Sequence, residues 1–127
     1  MEESWGEPTS LTVRCGFLAG AVMVTASGEL DLDTVPELER RVAAALEAAT
    51  ACTSATVVVV DLTSVSYLDS SGLNMLVRCH ELACRHHLAL HVVASDRRVL
   101  RPIHATELQH VLLLYPTTAE ALAPPTT

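Results

Sequence analysis

The chain has 127 residues, half of them hydrophobic but only 3% aromatic, and a formal net charge of −7 with eight cationic side chains, all arginine. That is the length of one domain, with a core drawn from Val, Leu and Ala, a mix that suits a sheet covered by Ala-rich helices. The charge argues against nucleic acid and anionic membrane surfaces, which want clustered cations, and no apolar run approaches the ~20 residues that span a bilayer; the expected partners are proteins.

The opening Met1-Glu2-Glu3-Ser4-Trp5 is acidic and polar. It lacks the basic-then-apolar pattern of a signal peptide, so a cytoplasmic location is expected. Residues 1–10 read as a flexible lead. Leu11, Val13, Cys15 and Phe17 then alternate with smaller or polar residues, the period of a half-buried strand. Leu18-Ala19-Gly20 can turn the chain, and Val22, Val24 and Ala26 continue a second strand, which together predict a β-hairpin. Gly28-Glu29-Leu30-Asp31 is expected to break that strand. Thr34-Val35-Pro36-Glu37 has capping-box spacing with Pro early in the helix. Leu38, Val42, Ala45, Leu46 and Ala49 recur at helical spacing, so a helix is expected from about Val35 to about Thr50.

Ala55 to Leu62 is apolar except for Thr56 and Asp61, as in a central strand covered on both faces. Residues 63–72 read as a polar loop. Leu73, Leu76, Val77, His80 and Cys84 mark a second helix ending near His87. Leu88 to Ala94 is a further strand. Ser95-Asp96 can cap a short helix carrying Val99, Leu100 and Ile103. Val111 to Leu114 reads as the last strand, and Thr117-Thr118-Ala119-Glu120 as a second capping box opening a short helix. Residues 123–127 form a flexible tail. The predicted class is α/β: one domain over 11–122, a mixed, mostly parallel sheet with an opening hairpin and about four helices. Functional loops in such sheets lie beyond the carboxyl ends of the strands. Here one loop holds Asp31 and Asp33, and another follows Asp61 and holds Asp69, Ser70 and Ser71.

The four cysteines, Cys15, Cys52, Cys79 and Cys84, form no CxxC pair and read as reduced, mostly buried thiols. Cys79, His80, Cys84, His86 and His87 match no common zinc spacing, and a helix would point them in several directions. No metal or cofactor is expected.

Asp69-Ser70-Ser71-Gly72 opens the second helix. The first N–H groups of a helix lack internal partners and carry partial positive charge. Ser70 or Ser71 is therefore expected as the N-cap, and the same N–H groups suit a phosphate. Gly72 is expected to let another molecule approach the backbone. Two rival chemistries are weaker. Asp31, Asp33, Asp61 and Asp69 suggest a Mg²⁺ pocket of receiver type with Asp61 as phosphate acceptor, but the chain lacks the lysine that such receivers carry after the last strand. A serine hydrolase needs a His base near Ser70 or Ser71. No Gly-x-Ser-x-Gly elbow is present, and His86 and His87 lie about 24 Å along the helix from Ser70. His80 reads as a core or edge residue and His91 and His110 as strand residues, which leaves His104 as the remaining base.

Gly28-Glu29-Leu30-Asp31 after the hairpin, and Val65-Ser66-Tyr67-Leu68-Asp69-Ser70-Ser71-Gly72-Leu73 after a valine strand, resemble the STAS domain family. The resemblance covers roughly residues 11–122, and within the family the chain is similar to the anti-sigma factor antagonists. It implies a partner switch and no enzymatic activity. The unphosphorylated antagonist binds an anti-sigma factor, freeing a sigma factor. That anti-sigma factor is commonly a serine kinase with a histidine-kinase-like ATPase fold, which phosphorylates the serine after the Asp, here Ser70. A PP2C-type phosphatase resets the switch. The resemblance maps the family's loop acid onto Asp31 and the Asp before the phosphoacceptor onto Asp69. The implied partner-facing surface comprises Asp31, Asp33, Thr34, Asp69, Ser70, Ser71, Gly72 and Asn74. Two departures bear on partner identity: Asn74 stands where the family often has Gly, and Thr106-Glu107-Leu108 where it often has Thr-Gly-Leu.

Overall fold

The computed structural model describes residues 11–52 and 55–123, so the expected lead over 1–10 and the tail past Ala123 lie outside the described residues. Strands β1 (Leu11–Leu18) and β2 (Ala21–Leu30) form the antiparallel hairpin. The tight turn between them puts both Ala19 (φ 50°) and Gly20 (φ 79°) in the left-handed region, the hand that matches strand twist. There follow α1 (Val35–Ala51), β3 (Val57–Leu68), α2 (Ser70–Arg85), β4 (Ala89–Val93), α3 (Arg97–Ala105), a 3-10 turn (Leu108–His110), β5 (Leu113–Tyr115) and α4 (Thr118–Leu122).

The sheet order is β1-β2-β3-β4-β5, parallel from β2 onward. Each crossover advances by one strand, and right-handed crossovers then put α1, α2 and α3 on the same face. That face carries the main core. Val24, Val60, Leu62 and Val92 of the sheet pack there with Leu38, Val42 and Leu46 of α1, Leu76 of α2 and Ile103 of α3. The opposite face holds a smaller cluster, Ala21, Val59, Val93 and Ala121, where α4 folds back. Among the described residues no other helix packs on that face.

The expected class, a single α/β domain with a mostly parallel sheet behind a hairpin, is what the structure has. Four details differ. β2 does not break at Gly28 but runs to Leu30, and residues 63–68 are strand rather than loop. The two polar ends pair with each other, Ser27 with Ser64 and Leu30 with Leu68, across two register shifts. Their composition reflects a half-wet strand: Thr63 and Ser64 are exposed while Val65 and Leu68 are buried. The last strand starts at Leu113, because the N–H groups of Val111 and Leu112 are drawn back to the Leu108 carbonyl. His110 accordingly sits in the 3-10 turn and not in a strand. Of the cysteines only Cys79 is buried, which pushes its thiol up to about 12, whereas Cys15 and Cys84 are exposed. Thr117 does cap α4, accepting from the Glu120 N–H at 3.1 Å, and Asp96 caps α3 through the Arg98 N–H at 2.8 Å.

Candidate functional site

β2 and β3 are neighbours, parallel, and end in register at Leu30 and Leu68. The loops that follow them are therefore side by side. The Asp69 N–H donates to the Leu30 carbonyl at 3.2 Å and ties the two together.

In the first loop the Asp31 carboxylate accepts from the N–H groups of Asp33 (3.0 Å) and Thr34 (3.2 Å), an Asx-type turn. Thr34 occupies the N-cap of α1, yet its hydroxyl caps nothing. It turns back to donate to the Glu29 carbonyl at 2.8 Å and accepts from the Asp31 N–H at 2.9 Å. Glu37 is engaged by Arg40 and Arg41 instead of reaching back to Thr34. The expected capping box is thus replaced by a clamp that fixes the Asp31–Thr34 loop against the end of β2.

At α2 the cap is Asp69, not Ser70 or Ser71. Its Oδ1 accepts from the Ser71 N–H (3.0 Å), the Gly72 N–H (3.1 Å) and the Ser71 hydroxyl (2.5 Å). The Ser71 hydroxyl is the chief cause that holds the Asp69 carboxyl below its usual value, helped by the backbone N–H groups of Gly72, Ser71 and Leu32 and opposed by partial desolvation. Asp69 and Ser71 are half-buried, while Ser70 is exposed. The N–H groups expected to hold a phosphate are therefore taken by a carboxylate of the chain itself.

Gly72 also has a different task from the one expected. It is buried, and a Cβ built on it would lie 2.5 Å from Leu68 Cδ1 and 3.2 Å from Leu30 Cγ. The missing side chain lets α2 close onto the strand ends, not a partner onto the backbone. Asn74 is exposed and follows Ser70 by one helical turn, so the two share a face.

Two residues of this surface escape the sequence reading. Leu32, between Asp31 and Asp33, is 73% exposed, and Tyr67 beside Asp69 is 48% exposed. An apolar side chain flanked by two acids in a turn was the available signal for Leu32. Tyr67 was hidden by the assignment of its segment to a loop.

Asp61 does not join the other acids. It stands inside β3, where it accepts from the Thr63 N–H at 2.9 Å and from the hydroxyls of Thr63 and Thr118. Among the described residues no three His, Cys, Asp or Glu side chains are placed to hold a metal ion. On α2, Cys79 is buried against Met75, Cys84 contacts His80, and His86 and His87 are exposed beyond the helix end. His104 lies on α3 in a groove with Leu112 to Pro116, at the β5 side of the sheet. Among the described residues, no helix is long and apolar enough to cross a membrane.

A family model of the STAS domain matches residues 16–121. The chain belongs to the STAS domain family. This STAS domain is 30% identical over 115 residues to the anti-sigma-F factor antagonist RsfB of Mycobacterium tuberculosis, covering 91% of this chain and 89% of RsfB. It is 34% identical to an anti-sigma factor antagonist from Mycobacterium paratuberculosis known by crystal structure, with a TM-score of 0.80 over 91% of this chain and 94% of that one. SpoIIAA from Bacillus, solved in its phosphorylated form, is only 15% identical but has the same fold, with a TM-score of 0.62 over 87% and 96% of the two chains.

Proposed function

We propose that this STAS domain is a cytoplasmic anti-sigma factor antagonist whose surface around Ser70 binds an anti-sigma factor, and that phosphorylation of Ser70 ends the binding. The two mycobacterial relatives, both named as antagonists, support the role. The observation that carries the site is the inequality of two adjacent serines. Ser71 gives its hydroxyl to Asp69 and is half-buried; Ser70 is exposed at the helix mouth, and its hydroxyl has no partner among the described residues. A kinase needs the free one. The domain is then the substrate of its partner, an anti-sigma factor with a histidine-kinase-like ATPase fold, and a PP2C-type phosphatase restores it.

The physics favours local blocking. A phosphate adds about −1.5 to −2 charges. Asp69 already occupies the helix N–H groups, and Asp31 and Asp33 lie on the adjoining loop. The added anion finds no vacant donor cradle, stays at the surface, and must be desolvated by any partner that packs on Leu32 and Tyr67. The alternative is a STAS scaffold or ligand-binding module in which Ser70 is only a helix cap; the side chain that caps α2 is that of Asp69, which favours a different task for Ser70.

The test is incubation with the cognate anti-sigma kinase and ATP, followed by site mapping. Label on the wild type and on Ser71→Ala, absent from Ser70→Ala, is the expected result. Phosphate retained by Ser70→Ala overturns the site. An anti-sigma factor that binds the phosphorylated and unphosphorylated forms equally overturns the switch.

A further inference from the structure

We propose that the open face of the sheet carries a second binding site, distinct from the Ser70 surface, for a small phosphate dianion, free or as a monoester, held by Arg14 and the hydroxyls of Thr12, Thr25, Ser27 and Ser64. These five residues line a concavity of about 270 Å³ across β1, β2 and β3. The register builds it. Thr12 stands opposite Ser27, Arg14 opposite Thr25, and Ser27 opposite Ser64. Leu11 and Val13 pack on the main core, so Thr12 and Arg14, alternating with them, face the other way.

The chemistry of the lining points to an anion. Arg40, Arg41, Arg78 and Arg98 are paired with carboxylates. Arg14, like Arg85, Arg97 and Arg101, has no such partner among the described residues; it differs from those three in standing among four hydroxyls that also have no hydrogen-bond partner there. Hydroxyls facing one another across strands can pair; these do not, and they surround the guanidinium of Arg14. A guanidinium offers a fork of N–H donors that fits oxyanions bidentately. Hydroxyls from three strands add donors around it, more than the two oxygens of a carboxylate can use and suited to the oxygens of a phosphate. The volume lies just below the ~300–1,000 Å³ of pockets for drug-sized ligands, so the site fits one phosphorylated group and not a nucleotide. Among the described residues the acid in register with this row is Asp61, opposite Thr25, and it accepts hydrogen bonds from Thr63 and Thr118.

The experiment is a ¹H–¹⁵N NMR titration of the full chain at constant ionic strength with inorganic phosphate, O-phosphoserine and, as the carboxylate control, acetate. Saturable shifts are expected at residues 12, 14, 25, 27 and 64 with half-saturation below about 10 mM for a phosphate. Arg14→Gln, a change at an exposed position, is expected to leave the rest of the spectrum in place and to weaken binding at least about tenfold, the scale of a lost charge-assisted hydrogen bond. Tighter binding of O-phosphoserine identifies an esterified ligand, and tighter binding of inorganic phosphate the free ion; either supports the site. Absence of saturation, equal binding by acetate, shifts that persist in Arg14→Gln, or shifts confined to residues 69–72 overturn it.

Discussion

Asp69 holds Ser71 twice through one oxygen, by the backbone N–H at 3.0 Å and by the hydroxyl at 2.5 Å. The same oxygen takes the Gly72 N–H at 3.1 Å. One carboxylate thereby closes the mouth of α2 and makes two neighbouring serines chemically different. Ser71 belongs to the cap, and Ser70 is left to the solvent. The junction is also braced from the other side, since the Asp69 N–H reaches the Leu30 carbonyl and the Leu32 N–H helps to hold the Asp69 carboxylate ionised.

Replacing that cap tests its contribution. Asp69→Ala is expected to destabilise the domain by about 1 kcal/mol, the usual cost of a lost N-cap. Asp69→Asn keeps the capping geometry and removes only the charge, so it isolates the electrostatic part. Because the folded-state carboxyl is held below its ordinary value, its stabilising effect is fully present above the unfolded value of about 3.9 and is lost as pH falls through the depressed folded value. Urea denaturation should therefore find wild type more stable than Asp69→Asn at pH 7 and the gap shrinking below about pH 4. A gap independent of pH would show that the charge plays no part.

Leu32 tests the surface. Its side chain is 73% exposed, so Leu32→Ala is expected to change stability by no more than about 0.5 kcal/mol. The Leu32 backbone N–H, which favours the ionised Asp69 carboxyl, is kept by the change. If an anti-sigma factor packs there, truncating an exposed apolar anchor should weaken binding about tenfold, some 1.4 kcal/mol. Calorimetry on the unphosphorylated form reads both quantities. Unchanged affinity would move the interface away from the Asp31–Thr34 loop.

Much of this fold was legible in the residues. Period-two alternation marked β1 and β2, and period-3.6 spacing marked α1 from Val35 onward. What escaped was set by tertiary pairing. Residues 63–68 look like a loop because Thr63, Ser64 and Ser66 are polar, yet the end of β2 supplies them with a parallel partner. The caps failed for a related reason. Ser and Asp are about equally good at an N-cap, so composition alone could not choose among Asp69, Ser70 and Ser71. The choice fell to the residue whose N–H is anchored on Leu30. Thr34 had a capping-box partner in Glu37 on paper, but Arg40 and Arg41 took the glutamate. The loop pair around Ser70 was legible as a site; the division of labour within it was not.

Gly72 gives a steric test of how tightly α2 seats on the strand ends. A Cβ there meets Leu68 and Leu30, both buried, so neither leucine can swing out into water. Overpacking of this kind costs about 1–3 kcal/mol. The better helix propensity of Ala returns at most about 1 kcal/mol. Gly72→Ala is thus expected to destabilise by about 1 kcal/mol, read as a lower midpoint in urea with an unchanged slope. A gain in stability would mean that the leucines repack freely and that Gly72 is not needed for the seating.

Glu107 offers the opposite case, a residue whose backbone would prefer to be glycine. It follows the C-cap Thr106 of α3 and adopts φ 60°, ψ 25°, the left-handed conformation usual for glycine at that position. The strain costs an L-residue about 1–2 kcal/mol. Glycine removes it but gives up about 0.5–1 kcal/mol of unfolded-state entropy. Glu107→Gly is therefore expected to stabilise the domain by about 0.5–1 kcal/mol. The Glu107 side chain is exposed, so Glu107→Ala, which keeps the strain and deletes the carboxylate, separates backbone from charge. Thermal denaturation should show a raised Tm for Glu107→Gly alone. If both variants rise together, the gain comes from removing a negative charge in a chain of net charge −7, and the left-handed turn is not the source of the cost.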